Sequence, residues 1–251
     1  MRTDVILPFH NGAGAVARCL AALSSSSRQT NIILVNDGST FLESERIRRV
    51  AAELLFPVSW VNLQRRGGFV NAVNAAWNSC DSPTAVVLNS DTVPPADLIR
   101  QLVDVLERDP QVAAVAPISD NPLDLYQHRR RAVGPTHHTR MISSVPYLTA
   151  MCVALRRSAI GGQVFDPAFS PGYFEDLDLS CRLRTAGWQL RVADNCRIHH
   201  RGRGTFASDP NLARILARNF ARFSARWSHL PEHEDLVLRL SGKLANGRAC
   251  H

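Results

Sequence analysis

Lysine is nearly absent from this chain: of its 29 lysines and arginines, Lys243 alone is a lysine, so arginine carries almost all of the basic charge. No apolar run approaches the roughly 18 residues that a membrane-spanning helix needs. None of the six cysteines (Cys19, Cys80, Cys152, Cys181, Cys196 and Cys250) forms a CxxC pair or has zinc-ligand spacing, which excludes the familiar redox and structural-zinc signatures. No repeat or low-complexity tract is visible, and coiled coil, collagen and disorder are excluded by composition. Met1-Arg2-Thr3-Asp4 runs straight into VILPF, so no secretory signal is expected. Reduced, mostly buried thiols and a cytoplasmic location follow as expectations. The chain has 251 residues, is 45% hydrophobic and 20% charged, and carries a formal charge of +7. That suits one α/β domain with a short appendage, and partners that bear negative charge.

Apolar runs alternate with helical periodicity. Strands are expected at Asp4–Phe9 (ended early by Pro8), Asn31–Val35, Val58–Leu63, Ala85–Leu88 and Val112–Ala116. Helices are expected at Val16–Leu23, Glu43–Leu55, Phe69–Asn78 and from Pro94-Pro95 to Arg108. This alternation predicts a mainly parallel sheet wrapped by helices. Ligands of such sheets bind beyond the carboxyl ends of the strands, where the polar clusters Asp37, Arg65–Gly68 and Asn89–Asp91 all fall. Ser119–Ser144, rich in Pro, Arg and His, reads as a long loop of functional character. Tyr147–Leu155 is apolar, Glu175–Ala186 a helix stopped by Gly187, and Leu190–Ala193 and Arg197–His199 two short strands. Asn211–His229 is a final helix.

Several clusters carry chemistry, each beside a plainer reading. Asn89-Ser90-Asp91 ends an apolar strand, where a carboxylate can hold a hard divalent cation against phosphates; an Asx cap on the next helix is the alternative. Asp37 in VNDGST can accept hydrogen bonds from a base or ribose, or only make a turn. Glu175-Asp176-x-Asp178 opens a helix whose dipole favours carboxylates. Three acids exceed what a cap needs, so one can be a general base. His199-His200 precedes Arg201-Gly202-Arg203-Gly204, and imidazole suits a metal while arginines suit a diphosphate. Gly12-Ala13-Gly14-Ala15-Val16-Ala17 fits GxGxxG/A with Asp37 downstream, a dinucleotide-binding signature. However, Pro8–Asn11 separates it from its strand. On the last helix Arg214, Arg218, Arg222 and Arg226 recur at every fourth residue, which suits an anionic membrane or a docked helix with a solvated arginine face.

VILPFHN, VNDGST, RRGGFVNAVNAA, VVLNSDTVPP, GYFEDLDLSCRLRTAGW and IHHRGRG, in that order, resemble the family 2 glycosyltransferases of GT-A fold over residues 5–227. The rhamnosyl- and galactofuranosyl-transferase branch is the most similar. The resemblance implies an α/β GT-A domain over 1–208, with a nucleotide-binding half (1–117) and an acceptor and catalytic half (118–208). A helical extension occupies 209–251. It implies an inverting, metal-dependent transfer from a nucleotide-diphosphate sugar, UDP- or dTDP-linked, to a hydroxyl of a cell-envelope or lipid-linked glycan. Pro8, Asn11 and Asp37 would line the nucleotide pocket. Arg66, Gly67, Asn89, Ser90, Arg201 and Arg203 would join them on the donor. Asp91 and His200 would hold Mn or Mg, with Asp176 as catalytic base and Glu175 beside it. Peripheral contact with the inner face of the plasma membrane is implied, and no nucleic acid partner. The sequence departs from the family at Asn89 and Asn36, each standing where Asp is common, and at Thr149–Cys152, where glycine is common. Two rival readings are an NAD-dependent oxidoreductase built on Gly12–Ala17 and a non-catalytic binder of anionic ligands.

Overall fold

The computed structural model describes residues 2–23, 30–122, 124, 126–128, 142–202 and 209–247. Nine strands and seven helices lie along them: β1 (Thr3–Phe9), α1 (Ala13–Leu23), β2 (Thr30–Asp37), α2 (Phe41–Ala52), β3 (Val58–Leu63), α3 (Phe69–Trp77), β4 (Thr84–Leu88), β5 (Thr92–Val93), α4 (Leu98–Arg108), β6 (Val112–Ser119), β7 (Ile142–Ser144), β8 (Cys152–Arg156), α5 (Glu175–Thr185), β9 (Gln189–His200), α6 (Leu212–Trp227) and α7 (Glu232–Gly247). The sheet runs β3-β2-β1-β4-β8-β6-β9-β5, with β7 also on β9.

The strands are apolar on both faces because both faces are covered. On β1, Val5, Leu7 and Phe9 point toward a core filled by α1, α2 and α4. Ile6 points to the opposite core, filled by α3, α5 and α6. The β3-β2-β1-β4 half is parallel, as the alternation predicts. Beyond it β8 runs antiparallel to β4 and β6, while β9 returns parallel to β6, so the whole sheet is mixed. The five described cysteines are buried and free. Among the described residues no helix is long and apolar enough to cross a membrane.

Five local expectations change. Pro8 does not end its strand: pairing with β4 stops at Ile6, so the missing N–H falls where only β2 is alongside. Helix α4 starts at Leu98 rather than at the prolines, which lie in the turn before it. The apolar stretch 147–155 is a strand only from Cys152, because the Thr149 and Ala150 amides bond side chains instead of a ladder. The two short strands near 190–199 are one strand, β9, whose register on β6 shifts between Ala193 and Arg197. Finally, α6 is not the last helix, since α7 follows it.

Candidate active site

Asn11 (φ 56°) follows β1 and ties two loops together. Its N–H donates to Ser39 Oγ at 2.7 Å and its Oδ1 accepts from the Thr40 amide at 2.9 Å. Asp37, at the end of β2, accepts from the Gly67 amide at 2.5 Å and from the Gly68 amide at 3.0 Å. Two of the polar clusters expected on one rim are therefore bonded to each other. Asp37 is buried and holds the glycine turn; its Oδ1 accepts from both amides, while Oδ2 accepts from Gly68 alone and keeps a lone pair for a base or ribose. Gly68 takes φ 83°, and a Cβ there would lie 2.3 Å from Pro171 Cβ. Gly68→Ala is expected to cost about 2 kcal/mol or more in urea unfolding, from overpacking and a glycine-only backbone. Pro8 is buried within β1, and the Arg66 side chain is exposed beside this turn.

Asn89-Ser90-Asp91 leaves β4 with all three residues partly accessible. The Asn89 amide bonds Met151 O at 2.9 Å, and its carbonyl accepts from Thr92 Oγ1 at 2.7 Å, closing a tight turn. The next helix, α4, begins only at Leu98, so none of the three is its cap. Strand β5 then pairs with the end of β9, setting Thr92 opposite His200 and Val93 opposite His199. That pairing brings His200 Nε2 to 3.5 Å from Asp91 Oδ1. On its other side His200 Nδ1 meets Asp124 Oδ2 at 2.9 Å. Burial opposes charge on His200, but its hydrogen bonds to Asp124 and Asp91 and their charges outweigh it and push the pKa up to about 10. His199, by contrast, is well exposed and bonds Asp120 at 2.6 Å. Arg201 lines a small hollow with Asp91 and Arg18. Arg203 lies outside the described residues.

Asp124 and Thr149 were not among the site residues expected from the sequence. Asp124 is 4% exposed and also meets the hydroxyls of Ser119 and Thr149. The only sequence signal for it was its place in the loop flagged at 119–144, since 76 residues separate it from His200. A carboxylate on one imidazole nitrogen fixes the ring and leaves the other nitrogen to a ligand. Asp124→Asn is accordingly expected to weaken Mn2+ binding about tenfold or more, read by calorimetry in the presence of UDP.

The three acids of α5 have separate surroundings. Asp178 is fully buried and accepts from Arg182, Arg226 and Trp227 Nε1, at 2.7–2.9 Å. Asp176 Oδ2 accepts from the Ala150 amide at 3.1 Å and Oδ1 from the Leu177 amide at 2.8 Å. Burial raises its pKa to about 6; the two amides pull against that and the charge of Asp124 adds to it. Glu175 is 6% exposed, with Oε2 unpartnered. Burial first, then the charge of Asp176, lifts it well above the usual carboxylate range. Both acids are thus held above their ordinary values, Asp176 at about 6 and Glu175 well above the usual range, the pattern expected where one group takes a proton. Asp91, His200, Asp124 and Thr149 form a continuous line of contacts, and Ala150, next in the chain, bonds Asp176.

Among the described residues no three His, Cys, Asp or Glu side chains converge on a common metal position. Asp91 and His200 fit as a two-residue set, provided the ion displaces the proton that the two carboxylates otherwise hold on the imidazole. Donors about 2.1 Å from one ion sit roughly 3–3.5 Å apart, close to their 3.5 Å separation. Mg-type ions commonly take only one or two protein ligands beside substrate phosphates.

The pattern of Glycosyl transferase family 2 matches residues 4–161 of the chain. The chain belongs to this family. Undecaprenyl-phosphate 4-deoxy-4-formamido-L-arabinose transferase of Edwardsiella ictaluri (strain 93-146) is 28% identical over 131 residues, 51% of this chain and 40% of that protein. The chain thus spans under half the length of that relative. Among solved structures, the mannosyltransferase PcManGT of Pyrobaculum calidifontis, in complex with GDP-Man and Mn2+, superposes with TM-score 0.68 at 20% identity, over 88% of this chain and 63% of that one. GalNAc-T7 with UDP, GalNAc and Mn2+ superposes with TM-score 0.72 at 15% identity, over 92% of this chain and 48% of that one. These likenesses show the fold, an α/β GT-A glycosyltransferase fold. The oxidoreductase reading fails on this membership. It also fails locally, because the N-terminus of α1, where a pyrophosphate would sit, holds the Glu43 carboxylate on the Ala13 amide at 2.8 Å.

Proposed function

We propose that this glycosyltransferase moves a sugar from a nucleoside-diphosphate donor to an acceptor hydroxyl with inversion, using a divalent cation. The observation that carries the reading is the line of contacts from Asp91 through His200 and Asp124 to the segment bonded to Asp176. Asp176 takes the acceptor O–H proton as the acceptor oxygen bonds to the anomeric carbon. The bond from that carbon to the diphosphate breaks on the opposite side, and its electron pair leaves with the phosphate oxygen. Asp91 and His200 would hold Mn or Mg, which supplies charge neutralisation at the departing diphosphate. Arg201, next in sequence to His200, adds positive charge there, and Arg203, which lies outside the described residues, is assigned to the same role from the sequence. Pro8, Asn11, Asp37, Arg66, Gly67, Asn89 and Ser90 are assigned to the donor, and a neutral Glu175 can donate a hydrogen bond to a sugar hydroxyl. Residues 1–117 would serve the nucleotide and 118–208 the acceptor and chemistry.

The bacterial relative is by name an undecaprenyl-phosphate transferase, which supports a lipid-linked or cell-envelope acceptor and work at the inner face of the plasma membrane. UDP- and dTDP-sugars are the first donors to try, and the GDP-Man of one solved neighbour adds a third class. A thermal-shift panel of UDP, dTDP and GDP, each with and without Mn2+, tests this. The expected result is stabilisation by one diphosphate that grows when Mn2+ is added. Indifference to all three, with a shift given by polyanions alone, would leave a non-catalytic anionic-ligand binder.

A further inference from the structure

Residues 169–176 lead into Glu175 and Asp176 through an unusual turn. Tyr173 (φ 72°) and Phe174 (φ 70°) are consecutive left-handed residues, and neither is glycine. Such a conformation is costly for a residue with a side chain and persists only where its surroundings impose it. The imposing group is on α6. Asn219 is fully buried, and the two N–H bonds of its Nδ2 are shared among three carbonyls, Phe169 O at 2.8 Å, Gly172 O at 2.8 Å and Tyr173 O at 3.1 Å. Its Oδ1 accepts from Arg218 Nε at 3.0 Å, which fixes the amide's orientation. Phe174 packs its ring against Phe220 and Phe223 at 5.6 and 5.9 Å.

Three arginines of the same helix, exposed or partly so, also bond this segment and its flanks. Arg218 donates to Ser170 O, Arg222 to Ala168 O, and Arg226 to Asp166 and Asp178. A helix that only covered the core would bury its apolar stripe and leave the loop carbonyls to water. This one gathers the carbonyls of residues 168–170, 172 and 173, which lead up to a strained turn immediately before two acids.

We infer that α6 is part of the catalytic apparatus and that Asn219 is the positioning residue that aims Asp176, by clamping the 169–173 carbonyls so that the left-handed turn at 173–174 holds. The inference rests on the reading of Asp176 as the base. It extends the working site past β9 to α6.

The test compares Asn219→Ala and the milder Asn219→Gln with Asn74→Ala. Asn74 pins the same segment at its far end, through both backbone groups of Phe165, and serves as the control for general loosening. The full chain is used, with release of nucleoside diphosphate from the sugar nucleotide of the best-stabilising class as the activity probe. Three quantities are read: kcat, the Kd for the nucleoside diphosphate with Mn2+, and hydrogen exchange over 172–178. Both Asn219 variants should raise exchange there, with Ala lowering kcat roughly ten- to a hundredfold and Kd staying within about twofold. Asn74→Ala should lose comparable thermal stability yet keep kcat within about threefold. Unchanged exchange at 172–178 in both Asn219 variants overturns the clamp. Raised exchange with wild-type kcat overturns the positioning role, as does a kcat loss matched by Asn74→Ala. If the unaltered chain turns over no donor at all, the functional reading falls instead, and the exchange comparison still decides whether Asn219 holds the turn.

Discussion

Asp176→Asn is expected to lower sugar transfer at saturating substrate by about a hundredfold or more, while the nucleoside diphosphate binds as before. The amide keeps the shape of the carboxylate, and its oxygen can still accept from the Ala150 or Leu177 amide. What it cannot do is take a proton. The same residue sets a pH dependence. Its pKa is raised to about 6, by burial against the opposing pull of two amides. The base form therefore dominates above that value, and kcat should fall about tenfold per pH unit below it. Stability runs the other way. The folded state holds this proton more tightly than the unfolded chain, so this contribution is complete below the ordinary Asp value near 4 and fades as pH rises through about 6. A kcat profile flat from pH 5 to 8, or transfer at the unaltered rate by Asp176→Asn, rules out the assignment.

Asp91→Asn should be comparably severe for a different reason. It removes the carboxylate expected to face the cation, and losses of about a hundred- to a thousandfold in kcat are typical when one electrostatic stabiliser of a leaving group is lost. Cation binding gives a second readout: a Mn2+ titration in the presence of UDP should lose at least about tenfold in affinity. The substitution keeps the Asp91 carbonyl that accepts from the Arg201 amide at 3.2 Å, so the β4–β5 turn should survive, and a normal thermal transition is expected. Retention of both Mn2+ affinity and turnover would remove Asp91 from the cation.

Much of the molecule was legible because its signals are local. A strand such as Val58–Leu63 lies where alternation and its flanking turns put it. The parallel half of the sheet followed from regular strand–helix alternation, and the rim clusters from the rule that loops at strand ends carry ligands. The three acids at 175–178 stood out because a cap needs fewer. Their division of labour did not, since side chains one and two apart on a helix leave in different directions. Only the packed neighbours show Asp178 anchoring α6, Glu175 sealed with its Oε2 unpartnered, and Asp176 turned to Ala150.

The hydrophobic periodicity, the turn residues and the ordered motifs by themselves determined the fold class, the family and the set of ionisable groups, because each depends on neighbours within a few residues. Tertiary structure alone decided which groups meet. The Asp124–His200 contact closes 76 residues of chain, and Asn219 reaches carbonyls 46 to 50 residues away. Such contacts form only after the sheet has set its strand order, and no local pattern encodes that order. For the same reason spacing alone suited the arginines of α6 to a docked helix with a solvated face or to an anionic membrane, and only the structure shows Arg218, Arg222 and Arg226 bonded to residues 166–178.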